Sequence, residues 1–200
     1  MTEFLRGRVK AELRKRMRGL RKALPASACA ARSEKIATRL ASLEAVAQAR
    51  AVALFWPIEE RHEVDLRPLD AILRQRGVRV AYPAIDPDAG AMTFRFVDRV
   101  AGVEPRGLGF SEPSSSEPEA GPGDLDIIVV PALAIDPRGH RIGYGAGHYD
   151  RTLPRFSPPA VTVAVAFDFQ LIAEVPEMPG DVRVAFCVTD ARSFAASAME

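Results

Sequence analysis

The sequence predicts an α/β protein: a three-layer α/β/α sandwich around a largely parallel central sheet, with residues 1–200 forming one domain. Short apolar runs at residues 51–56, 78–82, 127–133, 161–167 and 184–188 have the length and composition of buried strands. Stretches with helical apolar spacing precede or separate several of them, the alternation that builds parallel sheets. Two hundred residues, 48% of them hydrophobic, are enough to bury one core.

Taken in order, Val9, Leu13, Met17, Leu20 and Leu24 recur at helical spacing and predict a first helix with one apolar face. Pro25 ends it, and Ser27 is the expected cap of a second helix through Ile36 and Leu40. After the strand at 51–56, Asp65 is the expected cap of a helix through Leu69, Ile72 and Leu73, which Gly77 terminates. A strand at 78–82 follows, and residues 92–97 alternate like a half-exposed strand. Residues 103–123 turn to Pro, Gly, Ser and Glu without periodicity and predict a surface loop. The three remaining apolar strands complete the sheet.

The net charge of +1 hides an asymmetry: nine basic residues stand against Glu3 and Glu12 in the first 22 positions. No stretch approaches the roughly 20 apolar residues of a membrane span, and the N-terminus lacks the apolar core of a signal peptide. Cys29 and Cys187 are too far apart in sequence to indicate a disulfide framework or metal cluster. A cytoplasmic protein without membrane or nucleic-acid partners, and a monomer, is expected.

The most informative segment runs from Asp136 to Arg151: D-P-R-G-H-R-I-G-Y-G-A-G-H-Y-D-R. It follows the buried strand at 127–133 with a turn at Asp136-Pro137-Arg138-Gly139. A loop with glycine at every second position (Gly143, Gly145, Gly147) then leads into a helix start at His148. Such a loop lets backbone N–H groups approach a ligand, and a helix N-terminus favours an anion. The pattern lacks the Gly-Lys-Ser/Thr of a P-loop, and its third glycine falls one residue early for a dinucleotide fingerprint. A tight strand-to-helix connection would need similar glycines. The polar residues Arg141, His148, Asp150 and Arg151 at the carboxyl end of a buried strand favour a phosphate site, and a carboxylate there suits Mg²⁺.

This segment, extended back through D-I-I-V-V-P-A-L-A-I, closely resembles the 5-formyltetrahydrofolate cyclo-ligase family. So do K-A-E-L-R-K near the N-terminus, F-W-P-I with E-V-D, A-F-D-F-Q, and the closing D-V-R-V and V-T-D, all in the family's order. The resemblance implies an ATP- and Mg²⁺-dependent enzyme that converts 5-formyltetrahydrofolate to 5,10-methenyltetrahydrofolate, releasing ADP and phosphate. It implies that the formyl oxygen attacks the γ-phosphate and that N10 then closes the ring. Lys10 and Arg14, one helical turn apart, are expected at the triphosphate with Arg141, Gly143, Tyr144, Gly145, Ala146, Gly147, His148 and Tyr149. Arg141 and Tyr149 are expected at the catalytic centre, and Trp56, Glu63 and Tyr149 at the folate. Asp150 and Asp181 match the metal carboxylates. His62 is given no catalytic role.

The chain departs from the family pattern in places. Gly180 and Ala185 stand where relatives commonly carry His and Asp, and Ala146 stands where some carry lysine. The connection from Pro57 to Glu63 is about two residues longer than in close relatives. Two other readings remain open: a paralogue acting on a different formyl or amide substrate, and a polyanion- or RNA-binding module using the basic first helix.

Overall fold

The computed structural model describes residues 2–86, 91–99, 102–106 and 110–197. The chain begins with α1 (Glu3–Lys22), α2 (Ala26–Ser42) and α3 (Glu44–Ala47), then β1 (Ala51–Ala53), α4 (Arg67–Gln75), β2 (Arg79–Ile85) and β3 (Met92–Phe96). It continues through β4 (Val103–Arg106), β5 (Phe110–Pro113), β6 (Ile127–Pro131), β7 (Ala134–Ile135) and β8 (Arg141–Ile142). The last elements are α5 (His148–Thr152), β9 (Val161–Val165), β10 (Phe186–Val188) and β11 (Ser193–Ala195).

A seven-stranded sheet carries the order β11-β10-β9-β6-β1-β2-β3. β1 runs parallel to both β2 and β6, β6 parallel to β9, and β9 parallel to β10. Only the edge strands β3 and β11 pair antiparallel. The expected α/β architecture with a mostly parallel sheet is therefore present. From β1 the chain winds outward to β2 and β3; from β6 it winds the other way to β9 and β10. The direction reverses between neighbours β1 and β6, where open α/β sheets form a crevice beyond the strand ends.

Period-2 alternation divides the strand residues between two cores. Val52, Val80, Ile127, Val129 and Val163 face α2 and α4, whose Ile36, Leu40, Leu69 and Leu73 are fully buried. Ala51, Ala53, Ala81 and Ala164 face the other way. These small side chains leave room for large ones, and Phe94 and Phe156 meet edge-on there with centroids 5.3 Å apart. The second helical layer is thin, made of short α5 and the turn at Leu153–Arg155.

Several local expectations need correction. The buried stripe of α1 is Lys10, Met17 and Arg21, while Val9 and Leu20 are 40% and 43% exposed. The helix does not lie flat on the sheet. Met17 and Leu13 pack on Leu133, Ala134, Ile142 and Val175, while Gly7, Lys10 and Arg14 face a cavity. Pro25, not Ser27, occupies the cap of α2: its extended backbone lets its carbonyl accept from Ala28 and Cys29. Leu66 caps α4, although Asp65 still accepts the Arg67 N–H at 2.9 Å. Gly77 ends that helix as expected, at φ +75°.

The stretch expected as a surface loop contains the antiparallel hairpin β4–β5, which Pro105 and Pro113 disguise in the sequence. Edge strand β11 was also not anticipated; its ladder to β10 is only three residue pairs long. The strand expected at 127–133 stops at Pro131, and the following residues fold back as the β7–β8 hairpin.

Candidate active site

A cavity of about 800 Å³ opens at the β1/β6 reversal, lined by Phe55 and Trp56 beyond β1 and by Pro131 at the end of β6. Lys10 and Arg14 of α1 line it, together with Gly143, Tyr144, Gly145, Ala146, Gly147, His148 and Tyr149 of the glycine-rich segment. Glu63, Arg141, Asp150 and Asp181 complete the set. Every residue singled out for the nucleotide, the folate or the metal thus borders one space.

The turn that launches this segment is fixed by Asp136, which is fully buried. Its Oδ1 accepts from the Arg138 and His140 N–H groups at 2.9 and 3.0 Å, and its Oδ2 from Val175 at 2.9 Å. The loop then passes through left-handed backbone at Gly145 (φ +107°) and Gly147 (φ +69°). Arg14 Nε donates to the Gly143 carbonyl at 3.0 Å and Arg18 to the Tyr144 carbonyl at 3.4 Å. Among the described residues no protein acceptor takes the N–H groups of residues 143–147. With carbonyls tied to arginines and donors unspent, the loop has the free backbone N–H groups that anion-binding concavities use. α5 has only five residues, so the loop amides, more than a helix dipole, supply the field.

Two ion pairs span the cavity wall. Lys10, 3% exposed, pairs with Asp181, whose Oδ2 also accepts the Met178 N–H at 2.8 Å. Buried Arg141 pairs with Asp150 at 2.8 Å, and Asp150 Oδ1 accepts the Val182 N–H at 3.1 Å. The Arg141 Nε is buried without a partner. No group of three or more His, Cys, Asp or Glu side chains is placed to hold a metal ion among the described residues. Asp150 and Asp181 nevertheless fit Mg²⁺, which keeps several waters and typically takes one or two carboxylates plus substrate phosphates.

The opposite side is aromatic and acidic. Trp56 meets Tyr82 edge-on at 5.8 Å, and the Arg67 guanidinium lies 5.7 Å from the Trp56 ring. Glu63 is 6% exposed, accepts the Ile58 N–H at 2.9 Å and has Arg21 at 3.9 Å. Arg21 in turn donates to the Tyr144 hydroxyl. Burial, reinforced by Glu63, pushes the Tyr144 and Tyr149 hydroxyls well above the usual tyrosine pKa, with Arg21 and Arg141 respectively opposing. His62 adopts left-handed backbone at φ 49°, and its Nδ1 lies 3.1 Å from the Arg21 carbonyl oxygen.

The sequence profile of the 5-formyltetrahydrofolate cyclo-ligase family matches residues 6–190. The chain belongs to this family. The cyclo-ligase of Escherichia coli K12 is 30% identical over 162 residues, 80% of this chain and 88% of that protein. A Mycolicibacterium smegmatis cyclo-ligase is 45% identical over 74 residues, 37% of this chain and 38% of that protein. The solved 5,10-methenyltetrahydrofolate synthetase of Aquifex aeolicus superposes with a TM-score of 0.83 at 30% identity, covering 96% of this chain and 95% of the other. That of Mycoplasma pneumoniae, at 23% identity and a TM-score of 0.71 over 90% and 98% of the two chains, shares the fold.

Against the family pattern, Gly180 sits at φ +86° with nothing within 4 Å of where a Cβ would point. Ala185 is exposed, donates its N–H to Thr162 and does not line the cavity. Loss of an acidic side chain there leaves the cavity wall intact. Sequence reasoning missed Arg21, although it lies seven residues after Arg14 and shares its helix face. It also missed Arg61 and the apolar lining from Ile58, Pro83, Ile85, Met92 and Met178. These come from separate elements and carry no common spacing.

Proposed function

We propose that this chain is an ATP-dependent 5-formyltetrahydrofolate cyclo-ligase, forming 5,10-methenyltetrahydrofolate with release of ADP and phosphate. One observation carries the reading: a single cavity joins a loop of unspent backbone N–H groups and buried cations to an aromatic wall with a buried carboxylate. The first half suits a triphosphate and the second a pterin, which is flat and edged with amide and amine donors.

Phosphoryl transfer depends chiefly on positioning and charge stabilisation. Arg14 and Arg18 fix the loop carbonyls, which keeps the amides of residues 143–147 available to phosphate oxygens. Lys10 and Arg141 supply cations to the transferring group. Asp150 and Asp181 would hold Mg²⁺, which neutralises charge shared between phosphates when bound. Trp56 supplies a ring face and Glu63 an acceptor for pterin N–H groups, holding the formyl oxygen toward the loop amides. Tyr149, kept protonated by burial, is a hydrogen-bond donor between the two halves.

Mixing the protein with ATP, Mg²⁺ and 5-formyltetrahydrofolate while following the near-ultraviolet absorbance of the methenyl product tests this directly. ATP-dependent product formation is expected. Folded protein that binds ATP but forms no product would instead support a paralogue with another formyl or amide substrate.

A further inference from the structure

We infer that Arg61 is a specificity-determining residue that takes a carboxylate of the substrate's glutamate tail at the cavity mouth, an inference resting on the folate reading above. Arg61 ends the Glu59–Arg61 turn. That turn lies between Trp56 and Glu63 and places Arg61 on the cavity lining as an exposed residue. Glu63, two residues on, is 6% exposed.

The two ends of this short stretch therefore differ in both depth and charge: a buried carboxylate inside, an exposed guanidinium outside. A folate has the same polarity, with pterin donors at one end and glutamate carboxylates at the other. Pairing the buried acid with the pterin leaves the anionic tail at the exposed cation.

The state of Arg61 supports this. Of the other cations that line the cavity, Lys10 and Arg141 each have a carboxylate within 4.0 Å, and Arg14 donates its Nε to the Gly143 carbonyl. Arg61 has no such carboxylate among the described residues. Its guanidinium is braced 4.8 Å from the Tyr144 ring centroid, with Arg18 also 5.7 Å from it. A guanidinium stacked on an aromatic face keeps its edge donors free for bidentate carboxylate binding. Its place in the turn beside Trp56 and Glu63 favours the tail over the phosphates, which have the loop amides, Lys10 and Arg141.

Trp56 is the sole tryptophan and borders the cavity, so its fluorescence reports binding without turnover. Wild type and Arg61→Gln would each be titrated with 5-formyltetrahydrofolate and with 5-formyltetrahydropteroate, which lacks the glutamate. Wild type is expected to bind the tailed compound about tenfold more tightly, about 1.4 kcal/mol, and Arg61→Gln to lose that preference. Arg61→Lys should recover part of it, since the charge remains but the bidentate fork does not. An unchanged preference in Arg61→Gln, or a raised KM for ATP in place of weaker folate binding, would overturn the assignment while leaving the folate reading intact. Wild type that binds and turns over neither compound would overturn both.

Discussion

Asp150 Oδ1 joins two parts of the site at once, accepting from Arg141 Nη2 at 2.8 Å and from the Val182 N–H at 3.1 Å. The second bond fixes the Asp150 carboxylate against the chain next to Asp181. Replacing Asp150 by Asn keeps a neutral acceptor for both donors but removes the charge that a divalent cation needs. Asp150→Asn is expected to lower turnover about 100-fold or more and to raise the Mg²⁺ concentration for half-maximal rate. Urea unfolding should move by only about 1 kcal/mol. Unchanged turnover across a Mg²⁺ titration would remove Asp150 from the metal set.

Gly139 should be intolerant of any side chain. At φ +83°, an added Cβ would lie 2.4 Å from the Val184 carbonyl oxygen and 2.8 Å from Ala196 Cβ. The backbone cannot simply retreat, because the Val184 N–H donates to the Gly139 carbonyl at 2.9 Å. Gly139→Ala is expected to cost about 3 kcal/mol, read from the urea midpoint. A loss under about 1 kcal/mol would mean the turn relaxes freely.

The three tyrosines should not ionise in the native state near their ordinary pKa of about 10. Burial raises all three, helped at Tyr82 by the charge of Asp70 and at Tyr144 and Tyr149 by that of Glu63. A raised folded-state value means that the native protein binds more protons than the unfolded chain above pH about 10. Their contribution to stability is therefore complete below that pH and falls as pH rises further. Tyrosinate absorbance should appear together with loss of the far-ultraviolet circular dichroism signal. Ionisation of a fraction of the tyrosines before unfolding would contradict this.

Both thiols should be inert in the folded protein. Burial and the charge of Asp136 push the Cys187 thiol up to about 12, and burial raises Cys29 against the opposing charges of Arg21 and Arg32. A colorimetric thiol reagent at mildly alkaline pH is expected to react at the rate of unfolding, with both cysteines appearing at once in denaturant. Prompt reaction of one thiol would reveal local opening of the element that carries it.

The sequence by itself determined the central parallel strands and the backbone freedom of the glycine loop. The apolar runs at 127–133 and 161–167 mark central strands because a parallel sheet buries both faces and leaves no polar alternation to confuse them. Alternating glycines followed by Tyr-Asp-Arg are legible because backbone freedom and charge are written residue by residue. Local patterning also led astray: the periodic apolar residues of α1 gave a face whose Val9 and Leu20 are exposed. The hairpin β4–β5 was hidden because its prolines resemble those of a loop.

Only the tertiary structure decided which charges meet. Lys10 faces Asp181 and Arg21 faces Glu63 because the sheet's winding reverses between β1 and β6, and α1 crosses the opening left there. The pairing of a first-helix lysine with an aspartate 171 residues away has no local signature. It follows from the cost of burying either charge alone, and that cost is set by the cavity, not by the residues' neighbours in sequence. Arg61 is the converse case: an arginine with no motif around it in the sequence, brought to the cavity lining by the Glu59–Arg61 turn.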